Sequence, residues 1–151
     1  MPKLLSEGMV LGIDHVGICV ADIDGAESLW SELLGAPVVD REEVVPQKTA
    51  ASFLRFGTGR RAEAAVELIC PLPGNVGLEK FLSNRGDALH HIAFAVRDLR
   101  EALAALRARG IRLIDEQPRP GAGGHLVAFL HPRATGGILV ELVERTPKEK
   151  Q

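Results

Sequence analysis

Cysteine is scarce in this 151-residue chain, since only Cys19 and Cys70 occur and they form no CxxC arrangement. Both lie inside apolar, strand-like runs. This pattern predicts two buried thiols in a reducing compartment.

A surplus of positive charge is also missing, because 18 Lys and Arg stand against 20 Asp and Glu for a net charge of -2. Nucleic-acid binding usually requires a basic surface, so we expect no nucleic-acid partner. The apolar runs are short and interrupted by charges, and residues 1–11 have neither the basic start nor the apolar core of a signal peptide. We therefore expect no membrane partner and a cytoplasmic protein.

The chain does contain a near copy of itself. Superposing His15 on His91 also places Val20 on Val96, Asp22 on Asp98, Ala26 on Ala102 and Phe53-Leu54 on Phe129-Leu130. With a register shorter by two residues, Val66-Glu67-Leu68 falls on Val140-Glu141-Leu142. The repeat is longer than a solenoid unit, which predicts one domain over residues 1–151, with halves at about 12–70 and 88–144 and a linker at 71–87.

Each half is expected to contain a strand, a helix and three further strands. The predicted strands are 12–20, 37–43, 49–56 and 62–70 in the first half, and 88–96, 111–116, 125–131 and 137–144 in the second. Asp22 and Asp98 are N-cap residues for helices that end at Gly35 and Gly110. A short helix is expected at 76–84, a loop at 118–124, and turns at 46–48, 57–59 and 132–136.

The duplicated histidines and glutamates predict a shared metal site. Alternate residues of a strand share a face, so His15, Glu67, His91 and Glu141 can converge when two halves pack about a pseudo-twofold axis. Imidazole and carboxylate ligands suit several divalent ions, with octahedral binding and two open positions as the natural arrangement. A lone histidine on an apolar strand is more often a hydrogen-bonded structural residue, and a strand glutamate can face solvent. However, four positions agree here, and a buried glutamate is costly without a cation.

His90, next to His91, points to the opposite face of the same strand and is expected to support the site or the fold rather than bind the ion.

The paired halves and these ligand positions resemble the vicinal oxygen chelate superfamily, which includes glyoxalases, bleomycin resistance proteins and dioxygenases. Within it, the chain is similar to the methylmalonyl-CoA epimerases. The resemblance covers nearly the whole chain and is carried by residues 13–16, 89–92, 115–121 and 131–142. It implies an α+β fold in which two tandem βαβββ modules form a pseudo-twofold, eight-stranded half-barrel around a metal site.

The same resemblance implies the chemistry. His15, Glu67, His91 and Glu141 match the metal ligands of the family, and the ion is one divalent metal, with cobalt favoured and manganese, nickel, zinc or magnesium as alternatives. The activity implied is metal-dependent interconversion of (2R)- and (2S)-methylmalonyl-CoA, by α-proton abstraction, a metal-stabilised enolate and reprotonation. The partners implied are an acyl-CoA substrate, methylmalonyl or ethylmalonyl, and a second copy in a homodimer.

Two acid/base groups are needed to invert the α-carbon. Glu141 is the first candidate. A carboxylate proposed as a base in some family members aligns with Ala51. The family often has Pro-Glu-Gln-Gly or Pro-Glu-His-Gly in the loop after the second strand, whereas residues 45–48 read Val-Pro-Gln-Lys here, so Glu43, the nearest upstream carboxylate to this loop, is the candidate for the second group.

Three other functions share this fold. A glyoxalase I-like lactoylglutathione lyase would use the same ligands, although its usual Asp-Pro-Asp-Gly turn before the last strand is missing here. A metal-free small-molecule binding protein would keep the fold without needing buried carboxylates. A ring-cleaving dioxygenase would use two histidines and one carboxylate, and Glu67 as a fourth ligand argues against it.

Overall fold

The computed structural model describes residues 3–56 and 64–147. These contain eight strands: β1 (Val10–Cys19), β2 (Val38–Val44), β3 (Thr49–Leu54), β4 (Ala65–Pro71), β5 (Ala88–Val96), β6 (Arg119–Pro120), β7 (Leu126–Leu130) and β8 (Val140–Glu144). The same ranges contain three α-helices: α1 (Ile23–Leu34), α2 (Val76–Arg85) and α3 (Leu99–Ala108). The predicted turn at 57–59 and the first two residues of the predicted strand 62–70 lie outside the described residues.

The strands are hydrogen bonded in the order β2-β3-β4-β1-β5-β8-β7-β6. The first strand of each half runs parallel to the last strand of the same half, β1 with β4 and β5 with β8. The neighbouring pairs β2-β3, β3-β4, β6-β7 and β7-β8 are antiparallel. The α+β class and the duplicated βαβββ order are therefore confirmed.

Two compact units divide the chain, one from Asp14 to His91 and the other formed by residues 1–13 with 92–151. In the Asp14–His91 unit, α1 packs on the sheet through Ile23 and Ala26, which join Leu54 and Leu68 in one apolar cluster. In the other unit, α3 buries a stripe at helical spacing, made of Leu99, Ala102, Leu103 and Leu106. Burial of these faces supplies the main driving force for each unit.

Local capping sets the helix ends near the predicted positions. The Asp22 carboxylate accepts a hydrogen bond from Gly25 N at the start of α1, and Gly35 ends that helix with φ 64°. The Asp98 carboxylate accepts from Glu101 N in the same way at 2.8 Å. The predicted linker helix is α2, whose N-cap Asn75 accepts from Leu78 N. Among the described residues, no helix is long and apolar enough to cross a membrane.

The predicted strand at 111–116 is wrong. Only Leu113 forms a bridge there, with Leu130, and the strand that pairs with β7 is the two-residue β6, inside the predicted 118–124 loop. The backbone N–H groups of Ile114 and Asp115 both donate to the Phe129 carbonyl, while the Asp115 carboxylate accepts from Phe129 N. The Asp115 side chain thus accepts from the Phe129 N–H, which a regular pair of strands would use, so no strand extends through 111–116.

Candidate metal centre

Strand alternation buries the predicted ligands of the Asp14–His91 unit. His15 lies on β1, Glu67 on β4 and His91 at the last position of the unit on β5, and their exposed fractions are 4%, 7% and 5%. In the parallel β1-β4 pair, Gly17 is opposite Glu67, so that His15, two residues earlier, shares a face with this glutamate. Three polar side chains are therefore buried on one face, where each requires a polar partner.

The three side chains meet at their ends. Glu67 Oε2 lies 2.9 Å from His15 Nε2 and 3.2 Å from His91 Nε2. The two Nε2 atoms are 3.0 Å apart. Within this unit, the structure therefore brings the three predicted ligands together through two imidazole nitrogens and one carboxylate oxygen.

These separations fit a divalent metal ion. Neighbouring ligands of an octahedral ion with bonds of about 2.1 Å lie about 3.0 Å apart, whereas tetrahedral ligands at that bond length lie about 3.4 Å apart. The observed 2.9 and 3.0 Å match the octahedral spacing, and 3.2 Å lies midway between the two. Two imidazoles with one carboxylate also form a ligand set that intermediate divalent ions accept.

The residue before each histidine contacts the Nδ1 atom of that histidine, whereas Glu67 contacts the Nε2 atom. Asp14 Oδ1 lies 2.8 Å from His15 Nδ1, and His90 Nδ1 lies 2.9 Å from His91 Nδ1. Asp14 is buried, with 6% exposed. The expected supporting position of His90 agrees with this contact, whereas the sequence analysis did not select Asp14. Its equivalence to His90 in the repeat was the signal that could have indicated it.

Gly17 makes room for the ring of His91. A Cβ atom added at position 17 would lie 2.1 Å from His91 Cε1 and 2.4 Å from His91 Nδ1. The sequence gives Gly17 the same strand face as His15, two residues earlier, but does not by itself give it a role. A glycine inside a strand of β-branched residues is a general signal of such a close approach. Phe53, also on this face, packs edge-on against the His15 ring at 5.8 Å between centroids.

Burial and hydrogen bonding shift the pKa values of two groups at the site, Glu67 and His90. Burial raises the pKa of Glu67, but hydrogen bonds from the His15 and His91 imidazoles outweigh it and lower the pKa from 4.5 to about 2. Burial lowers the pKa of His90 from 6.5 to about 4, and the neighbouring His91 adds to this effect. At neutral pH, Glu67 is therefore a carboxylate and His90 is uncharged.

The two predicted acid/base residues lie on strands β8 and β2. Glu141 is buried on β8 in the second unit, opposite Ala93 on β5 and Phe129 on β7. Glu43 is exposed on β2 and lies opposite Ala50, which belongs to the apolar cluster under α1. Its neighbour Glu42 lies opposite Ala51, on the other face of the strand. The roles of Glu141 and Glu43, and the fourth-ligand position of Glu141, stay predictions.

A duplicated βαβββ sheet with two buried histidines and a buried glutamate restricts the class of protein, and comparison with known proteins identifies the class. Residues 14–129 match the Glyoxalase/Bleomycin resistance protein/Dioxygenase superfamily, and the chain belongs to this superfamily.

Within the superfamily, the similarity is to methylmalonyl-CoA epimerases. The mitochondrial methylmalonyl-CoA epimerase of Homo sapiens is 32% identical over 131 residues, which cover 86% of this chain and 72% of the human protein. The crystal structure of methylmalonyl-CoA epimerase from Mycobacterium tuberculosis has a TM-score of 0.86 and 36% identity, covering 95% of this chain and 93% of that one. A methylmalonyl-CoA epimerase in complex with methylmalonyl-CoA and NH4+ has a TM-score of 0.84 and 29% identity, covering 91% and 96%. The resemblance predicted from the sequence is confirmed.

Proposed function

We propose that this protein is a metal-dependent epimerase that interconverts (2R)- and (2S)-methylmalonyl-CoA. The observation that carries the proposal is the buried convergence of His15 Nε2, His91 Nε2 and Glu67 Oε2 within 3.2 Å of one another. The similarity to methylmalonyl-CoA epimerases over most of the chain supports the substrate. Ethylmalonyl-CoA, which is larger by one methylene group, is the nearest alternative acyl group.

His15, Glu67 and His91 would hold one divalent ion, and Glu141 is proposed as the fourth ligand. Cobalt is the favoured ion, with manganese, nickel, zinc and magnesium as alternatives. When bound, such an ion supplies Lewis-acid polarisation of the thioester carbonyl and stabilises negative charge on it, which is worth several kcal/mol. Because hydrogen bonds from the two histidines outweigh the effect of burial on its pKa, Glu67 keeps its negative charge at neutral pH and contributes it to the site.

The protein must also move protons at the α-carbon. One group removes the proton and a second returns one to the other face, each with a typical contribution of about 10²–10⁴-fold. Glu141 is the proposed first group. For the second, Glu43 is the sequence candidate, but the strand register favours its neighbour Glu42. Glu42 shares a face with Ala51 and Phe53, and Phe53 contacts the His15 ring.

A homodimer in the cytoplasm completes the proposal. Apolar side chains on the Asp14–His91 unit support a second copy as partner, because Leu29 and Leu33 on α1 are 53% and 67% exposed and Leu89 on β5 is 66% exposed. Exposed apolar side chains of this kind are common at subunit interfaces. Sedimentation equilibrium would check the oligomeric state.

The test is incorporation of solvent deuterium into each epimer of methylmalonyl-CoA, followed by NMR or mass spectrometry. The protein is first treated with a chelator and then resupplied with cobalt, manganese, nickel or zinc. We expect exchange and epimer interconversion only after a metal is returned, and loss of both in His15→Gln. His131→Gln is the matched control, because His131 accepts a hydrogen bond from Arg133 N and belongs to no ligand set.

Two results would reject the epimerase. Metal binding without α-proton exchange would favour a lactoylglutathione lyase, and glutathione hemithioacetals would be the next substrates. Absence of both metal binding and exchange would favour a metal-free binding protein of the same fold.

A further inference from the structure

We propose that Asp14 and His90 are repeat-related positioning residues that hold His15 and His91 through their Nδ1 atoms, so that both Nε2 atoms point toward Glu67 and are the nitrogens that can bind an ion. The proposal rests on the proposed metal site, because this orientation of the Nε2 atoms is what an ion held by the two histidines would require.

The repeat gives each ligand histidine a polar neighbour in the same position. Asp14 directly precedes His15, and His90 directly precedes His91. Consecutive side chains of a flat strand point to opposite faces, so strand geometry does not by itself bring them together. Nevertheless, the Asp14 Oδ1 to His15 Nδ1 distance is 2.8 Å and the His90 Nδ1 to His91 Nδ1 distance is 2.9 Å. The same ring edge is therefore contacted in both halves.

The contact with Asp14 determines the proton position on His15. A carboxylate only accepts hydrogen bonds, so His15 donates from Nδ1, and Nε2 is the nitrogen whose lone pair an ion can use once its own proton has left. This Nε2 lies 2.9 Å from Glu67 Oε2. Asp14 is buried with His15, which excludes water as a competing partner for the contact.

The contact with His90 determines the proton position on His91 when the site binds an ion. Two Nδ1 atoms at 2.9 Å share one proton. When His91 Nε2 offers a lone pair, His91 must carry its proton on Nδ1, and His90 accepts with its own proton on Nε2. His90 can take this role because it is a base with two inequivalent nitrogens, a property that an apolar residue at position 90 would lack.

Helix α2 holds the His90 ring in place. Phe81 on α2 packs edge-on against His90 at 5.0 Å between centroids, and the Arg85 guanidinium lies over the Phe81 ring at 5.4 Å. Helix α2, which joins the repeat halves, thus also holds His90, the residue that contacts the proposed ligand His91. The two supports are not equivalent, since a carboxylate polarises its histidine more strongly than a neutral imidazole does. We therefore expect a larger effect from Asp14 than from His90.

The test measures tautomers and metal affinity separately. Nitrogen-15 NMR of the five histidines in the metal-free protein gives the proton positions, and competition with a fluorescent chelator gives cobalt affinity. Asp14→Leu and His90→Leu remove the acceptor, whereas Asp14→Asn and His90→Gln keep one. We expect Asp14→Leu to remove the proton from His15 Nδ1, and both leucine variants to lose about 10–100-fold in cobalt affinity. The two acceptor-keeping variants should retain most of both properties.

His131→Gln should change neither readout and controls for the loss of a histidine. Leucine variants that fold and keep wild-type tautomers and affinity would overturn the proposal, as would acceptor-keeping variants no better than the leucine ones. If the tautomers respond as expected but wild-type protein binds no cobalt or other divalent ion, the positioning role is supported and the proposed metal-dependent function is the part that fails.

Discussion

The imidazole ring of His91 occupies the space that a Cβ atom at position 17 would need. The atom would lie 2.1 Å from His91 Cε1, well inside van der Waals contact, and the ring is buried and contacted at both of its nitrogens. At the residue scale, the site therefore requires glycine at position 17 as well as the ligand side chains.

Gly17→Ala should displace the His91 ring from the Glu67 carboxylate. Overpacking of this kind typically costs about 1–3 kcal/mol, and cobalt affinity should fall at least tenfold. Urea unfolding and chelator competition measure the two effects. Gly77→Ala on α2 is the matched control, since its Cβ would meet only Asn75 Oδ1 at 3.8 Å. That variant should be neutral or more stable by up to about 1 kcal/mol. Equal behaviour of the two variants would contradict the argument.

The adjacent glutamates of β2 form a natural matched pair. Glu42 shares the face of Ala51, and Glu43 shares the face of Ala50. If Glu42 is the second acid/base group, Glu42→Gln should reduce the rate of α-proton exchange by about 10²–10⁴-fold, while Glu43→Gln stays near wild type. The measurement is the deuterium-exchange rate for each epimer of methylmalonyl-CoA. The reverse ranking would assign the role to Glu43.

At the scale of elements, short-range capping decides where the two repeat-related helices begin. Asp22 and Asp98 occupy the same position of the repeat, and each carboxylate accepts from a backbone N–H in the first turn of its helix. These contacts use only neighbouring residues, so they form in each half independently of the rest of the sheet.

Asp98→Ala should lower the free energy of unfolding by about 1 kcal/mol, because it leaves Glu101 N without its capping acceptor. The Glu144 carboxylate still accepts from Leu99 N at 2.7 Å, which keeps the loss moderate. Urea unfolding measures the change. Asp98→Asn, which retains a capping oxygen, should stay within a few tenths of a kcal/mol of wild type, and a loss as large as that of the alanine variant would point to another cause.

At the scale of the whole molecule, the buried Glu67 and the half-buried His90 make stability fall in acid. The pKa of His90 is about 4 in the folded protein against 6.5 in an unfolded chain, and that of Glu67 is about 2 against 4.5. Both folded values are lower, so the unfolded state binds protons first as the pH falls. The contribution of His90 is complete above pH 6.5 and lost toward pH 4, and that of Glu67 is complete above pH 4.5 and lost toward pH 2.

His90→Gln should therefore flatten the pH dependence of stability. Glutamine does not titrate, so the metal-free variant should lose less free energy of unfolding than wild type between pH 6.5 and pH 4. Urea unfolding at a series of pH values checks this, and below pH 4 the two curves should run parallel because Glu67 is unchanged. Identical slopes of unfolding free energy against pH between pH 6.5 and pH 4 would show that His90 has the same pKa in the folded and unfolded states.

The sequence by itself determined the duplicated order of elements, the helix starts and the burial of His15, Glu67 and His91. Strand alternation and local caps act over short distances along the chain. The repeat makes the second half follow the pattern of the first. The repeat also indicated which glutamate would accompany the histidines, because the same Val-Glu-Leu triplet ends each half.

Only the tertiary structure decided the features that depend on residues far apart in the chain. The region 111–116 alternates like a strand, yet Asp115 takes the Phe129 N–H and the sheet pairs β6 with β7 instead. Gly17 became significant only when His91 was placed against it. Side-chain hydrogen bonds and close packing compete with backbone pairing in three dimensions, so sequence periodicity does not reveal their outcome.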